Sequence, residues 1–188
     1  MGVTDSVRTS FLVFAVLCGA CTSGEQGDPP REPAVVPDVP QWRLSAHGFG
    51  PLVAGMTAAD AARATRGTLS LPAVTSSEQC AYASWGAAPA GIKIMFEGGV
   101  LVRVDVTAPG VATAEGLEVG SPAARADSLY GAGATRRPHK YEDGEYLIVQ
   151  PLAPADTMQR LVIELVGGTV KRFRVGRIPQ VEYVEGCS

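Results

Sequence analysis

Histidine is nearly missing from this chain of 188 residues, which carries only His47 and His139. Aromatic residues make up 6%, and neither sign of charge dominates, since 16 Lys and Arg against 19 Asp and Glu leave a net charge of −3. Such a balance argues against a nucleic-acid partner, because binding phosphates needs a concentrated basic face. Long apolar runs are missing as well. The run from Phe11 to Ala20 is about half of the roughly 20 residues a membrane-crossing helix needs. No GxSxG elbow, SxxK, P-loop, GxGxxG or HExxH occurs anywhere, and these motifs supply a nucleophile, a phosphate cradle or a zinc site in the common enzyme classes. The sequence therefore reads as a non-enzyme, without cofactor or metal.

What is present begins at the N-terminal end. Arg8 precedes the apolar run, the small residues Gly19 and Ala20 close it, and Cys21 follows. A positive charge before a short apolar segment is an export signal. The order resembles the lipobox of bacterial lipoproteins, although Cys18 stands where the lipobox usually has Leu. In that family the cysteine becomes the new N-terminus and carries the lipid. The resemblance implies removal of residues 1–20, lipidation at Cys21, and anchoring to a membrane without spanning it. Thr22, rather than Asp, after the cysteine implies the outer membrane, facing the periplasm. The alternative is an ordinary secretory signal cut after Ala20, which leaves a secreted protein.

Residues 21–40 hold Pro29, Pro30, Pro33, Pro37 and Pro40 among scattered charges. Such a segment stays extended, reaches on the order of 60 Å and serves as a tether. Residues 41–188 suffice for a single domain with its own core. Of the four cysteines, Cys18 leaves with the signal and Cys21 takes the lipid. Cys80 and Cys187 remain, and in an oxidising compartment two leftover cysteines pair.

Within the domain one pattern occurs twice, over about 48–110 and about 111–180. Gly55-Met56-Thr57-Ala58-Ala59-Asp60 leads through alanines to Gly67, and Gly120-Ser121-Pro122 leads through a similar stretch to Gly131. Thr57 and Ser121 suit helix N-caps, Pro122 suits the first helical position, and Gly67 and Gly131 suit left-handed closing residues. Ile92, Ile94 and Phe96 alternate up to Gly98-Gly99, and Val102, Val104 and Val106 alternate back; Leu161, Ile163 and Leu165 do the same up to Gly167-Gly168. These read as hairpins with tight glycine turns. Further strands are expected at Ala81 to Ser84, Tyr146 to Gln150 and Gln180 to Val184. The expected fold is α+β: two tandem helix-plus-antiparallel-hairpin repeats forming one sheet, with helices packed on one face.

The GMTxxD stretch from Gly55 to Asp60, closed by Gly67, resembles the helix start of SmpA/OmlA-type outer-membrane lipoproteins. Doubling the unit resembles the tandem repeat of β-lactamase inhibitor proteins. Both resemblances imply a non-catalytic fold used for protein contacts or envelope scaffolding. The function expected is that of a membrane-anchored envelope lipoprotein acting as a binding or scaffolding module. Its partners are a membrane through the lipid anchor, another envelope protein or peptidoglycan. One alternative is a secreted or surface inhibitor of an enzyme, docking the concave face of its sheet. Another is a small hydrolase using His47 or His139 as base. Arg103, Arg172, Arg174 and Arg177 form the candidate contact for an anion or partner, because rows of guanidiniums grip carboxylate and phosphate through paired hydrogen bonds.

Overall fold

The computed structural model describes residues 42–72, 80–150 and 157–187, all within one unit, Val39–Ser188. Cys21, the signal and the tether lie outside the described residues.

Glycine places the two central turns. Gly98 and Gly99 have φ of 59° and 74°, and Gly167 and Gly168 have φ of 57° and 76°. Positive φ at both central residues matches the twist of the flanking strands. The first turn joins β6 (Ile92–Glu97) to β7 (Val100–Val106), and the second joins β10 (Gln159–Val166) to β11 (Thr169–Arg177). Strands β4 (Leu69–Ser70) and β5 (Cys80–Trp85) precede the first pair, and β8 (Ala134–Pro138) and β9 (Gly144–Val149) precede the second. All eight join in one antiparallel sheet of order β4-β5-β6-β7-β11-β10-β9-β8. A smaller sheet, β1 (Leu44–Ser45), β2 (Gly48–Phe49) and β3 (Leu52–Val53), adds Leu44, Phe49 and Leu52 to the core.

The expectation of an α+β domain built from two helix-plus-hairpin repeats does not hold. Strand accounts for 45% and helix for 16% of the described residues, which are therefore mostly β. Only α1 (Ala58–Ala64) and α2 (Ala123–Tyr130) are α-helical among the described residues, and each is followed by four strands rather than a single hairpin. Ala61 of α1 and Ala126 and Tyr130 of α2 lie in the same core as Ile94, Val104, Ile163 and Phe173. Trp42 stacks on Trp85 at 4.6 Å at one end of that core.

The helix ends differ from each other. Thr57 Oγ1 accepts from the Asp60 amide at 3.2 Å, and Gly67 (φ 73°) donates back to the Ala62 carbonyl at 2.7 Å. In α2 the cap position is Pro122, with no side-chain cap, because Ser121 Oγ accepts from the Glu118 amide instead. Gly131 stays right-handed at φ −55° and opens a 3-10 turn, Gly131–Gly133. The expected Ser121 cap and left-handed Gly131 are therefore corrected. So is the expected strand at Gln180–Val184, where Gln180–Glu182 form a 3-10 turn whose carbonyls are taken by arginine side chains rather than by a neighbouring strand.

Candidate functional site

Alternation puts every second residue of a strand on the same face. Away from the helices, that rule and the register set Asp105, Arg174, Val162 and Ile148 in one row. Arg172, Glu164, Tyr146 and Arg137 form the next. Arg103 lies beside Gly176, where a side chain would strike the Val102 carbonyl, 2.2 Å from an added Cβ. A sheet face carrying this many charges would ordinarily be open to water. Here it is covered.

The cover is the C-terminal strap, Ile178–Cys187. Val181, fully buried, packs with Tyr146, Ile148 and Val162, with Ile178 and Val184 beside it. Arg103 donates to the strap carbonyls of Tyr183 at 2.6 Å and Gln180 at 3.3 Å, and Arg174 Nε donates to the Val181 carbonyl at 2.6 Å. The strap ends in the Cys80–Cys187 disulfide, with Cα atoms 5.4 Å apart. Gly186, at φ 75°, lies against the Tyr82 hydroxyl and leaves no room for a side chain. Arg137–Glu182 at 2.9 Å and Lys140–Glu185 at 2.7 Å bind its edge.

Beneath the strap the charges pair. Arg103 Nε and Nη2 grip both oxygens of Asp105 at 2.6 to 3.0 Å. Glu164, fully buried, accepts from Arg172 Nε at 2.7 Å and faces His139 Nε2 at 3.1 Å. Burial works to raise the Glu164 carboxyl, but the hydrogen bond and charge of Arg172, the His139 contact and the charge of Arg174 outweigh it and hold the carboxyl below its usual range. Burial and the nearby charge of Arg103 bring the Arg174 guanidinium down to about 10, against the opposing pull of Asp105 and Glu164. Tyr146 lies between His139, stacked at 4.7 Å, and Arg174, whose guanidinium is 5.6 Å from the ring centre.

Three of the four candidate arginines, Arg103, Arg172 and Arg174, thus share one face. Arg177 does not; it projects to the opposite face and lies exposed beside Gly55. The row is built into the protein rather than spread on its surface: Arg103 and Arg174 are buried and only Arg172 is partly exposed. Asp105, Glu164, Tyr146 and Arg137 belong to the same constellation; Asp105 and Glu164 escaped the sequence reading, whereas Arg137 lies in the basic stretch RRPHKYEDGE, itself a candidate anion or partner contact. A signal existed in VLVRVDV and QRLVIELV, where Arg103 and Asp105 in the first and Glu164 in the second interrupt an apolar run.

His139 is buried, and its Nδ1 accepts from the amides of Tyr141 at 3.1 Å and Glu142 at 2.9 Å. His139, Glu142 and Glu164 bring ligand atoms within 4.8 Å of one another. The donor set does not suit a metal ion. Nδ1 is engaged by two N–H groups, Glu142 pairs with Lys171, and two guanidiniums flank Glu164.

A second feature lies on the helix side, a cleft of about 500 Å³ lined by Leu44, His47, Glu115, Leu129, Tyr130 and Leu161, among others. Its size falls in the range of small-molecule sites. The Leu117 amide donates to Thr113 Oγ1, Thr113 and Tyr130 hydroxyls meet at 2.6 Å, and Tyr130 donates to Glu115. Burial and Glu115 raise the Tyr130 hydroxyl well above its ordinary value.

No protein-family model and no curated protein matches the chain. Among solved structures it is similar to the uncharacterized protein yfeY from Escherichia coli, with 15% identity, a TM-score of 0.43, and coverage of 72% of this chain and 99% of that one. At this distance the likeness carries neither fold nor function across.

Proposed function

We propose that the protein is a lipid-tethered, non-catalytic binding module of the bacterial envelope, anchored through Cys21 in the outer membrane and facing the periplasm. One observation carries the reading: the Cys80–Cys187 bridge closes the strap over the charged face. Disulfides of this kind persist in oxidising compartments, which is where the N-terminal signal directs the chain. The strap lies over the central strands of one sheet face and the helices over the other, so an inhibitor-like mode through an open concave face is less well supported than binding in the helix-side cleft. Metabolic labelling with a palmitate analogue in a bacterial host tests the anchor. Label on the wild type and none on Cys21→Ser supports it; no label on either makes the protein a plain secreted one.

A small hydrolase is the second reading, and one observation favours it: His47 and Glu115 line the same cleft. Turnover of an ester or peptide panel that disappears in His47→Ala would establish it over the binding module. His139 is poorly placed for the role, being buried, with Nδ1 taken by two backbone amides and Nε2 facing Glu164 rather than solvent.

A further inference from the structure

Three of the guanidiniums around the strap hold a carboxylate of their own: Arg103 has Asp105, Arg172 has Glu164 and Arg137 has Glu182. Arg174 has none. Its Nη1 is 3.6 Å from the Glu164 oxygen that Arg172 already occupies, beyond hydrogen-bond reach, and Nε is spent on the Val181 carbonyl. Buried charges are ordinarily paired, because desolvating an ion without a partner is costly. Arg174, with a side chain 3% exposed, has only the longer of two ion pairs to a carboxylate that Arg172 already holds.

A cavity of about 160 Å³ lies beside it, between strap and sheet, lined by Arg137, Tyr146, Val162, Arg174 and Glu182, among others. That volume admits several waters or a small organic anion. The Lys140 amide approaches the buried Tyr146 hydroxyl without reaching hydrogen-bond geometry, which leaves the hydroxyl without a partner. Arg137, 57% exposed, borders the cavity at its solvent side.

We infer that this cavity is a binding site for a singly charged carboxylate, held by Arg174 at the back and Arg137 at the mouth. Arg103 and Arg137 are each balanced by an acid, and Arg172 and Arg174 share Glu164, which leaves one positive charge in excess that a carboxylate matches and a dianion exceeds. A guanidinium also fits the planar, two-oxygen geometry of the group. The ligand is a free small acid or the C-terminal carboxylate of a peptide. The site stands independently of the lipid anchor and of the helix-side cleft.

The test is an NMR titration of the disulfide-bonded domain, following the Arg174 Nε–H signal. Acetate is added at constant ionic strength set with sulfate, and a tripeptide with a free or an amidated C-terminus is titrated separately. A saturable shift with acetate alone identifies a free acid, and a shift with the free but not the amidated tripeptide identifies a peptide terminus. Losing one charged donor weakens binding about tenfold, so Arg137→Gln raises the Kd by about that factor. Glu182→Gln removes the competing carboxylate and tightens binding. Both positions lie at the rim, so the variants keep the fold. No saturable shift with any probe, or equal affinity in wild type and Arg137→Gln, overturns the inference.

Discussion

His139 Nε2 faces Glu164 Oε1 at 3.1 Å in a layer where neither side chain reaches water. Two backbone amides already donate to Nδ1, which leaves Nε2 beside the carboxylate, in contact with it but outside hydrogen-bond geometry. The other oxygen of Glu164 takes Arg172. A single acid thus joins the loop after β8 to β10 and β11, and it does so under the strap. Removing it strands its partners.

Glu164→Gln is expected to destabilise the fold by about 3–5 kcal/mol at neutral pH, the usual cost of breaking a buried pair. The folded Glu164 carboxyl is held below its ordinary value. Its contribution is therefore present above the unfolded pKa and is lost as pH falls through the folded one. Urea midpoints measured from pH 7 down to pH 3 should fall less steeply in Glu164→Gln than in wild type. An unchanged acid limb would remove Glu164 from the account.

Arg103 and Asp105, both buried, bind each other through three contacts. Arg103→Met leaves a buried acid alone and should cost about 3–5 kcal/mol. Arg103→Met with Asp105→Leu should recover part of that, since a buried pair replaced by apolar groups is often neutral. Recovery stays incomplete because Arg103 also holds the carbonyls of Gln180 and Tyr183. Denaturant unfolding of the two variants checks the order; equal stability would show that the pair is not coupled.

Reducing the bridge should free the strap. The cysteines are 107 residues apart, for which the chain-entropy model gives a ceiling just under about 5 kcal/mol. A loss of about 2–4 kcal/mol is expected in Cys80→Ser with Cys187→Ser. Limited proteolysis of that variant should cut first within residues 178–187. Gly186→Ala should loosen the same end with the bridge intact, since the position has φ 75° and an added Cβ meets the Tyr82 hydroxyl at 2.2 Å. Cleavage elsewhere first would show that the strap is not the part the bridge restrains.

The hairpins were legible because glycine pairs interrupt clean alternation, as Gly98-Gly99 and Gly167-Gly168 do. The cysteine pairing was legible by subtraction. The overall architecture was not. Strand β8 reads ATRRP, with four of its five residues exposed, and β4 is two residues long, so neither carries an apolar period. Alanine-rich stretches drew attention to helices and away from the strands that dominate. The arginine row was visible as a periodicity, but not its burial. Nothing in QVEYVEGC announces that its carbonyls satisfy Arg103 and Arg174 from above, because the turn that presents them carries no pattern and Arg103 lies 80 residues from Tyr183.

The most direct measurement is the intact mass of the full-length protein recovered from bacterial membranes without reduction. The account predicts a chain that begins at Cys21, carries lipid on that residue and retains the Cys80–Cys187 bridge. A chain that keeps residues 1–20, or one that starts at Cys21 without lipid, would contradict the tethered-module account.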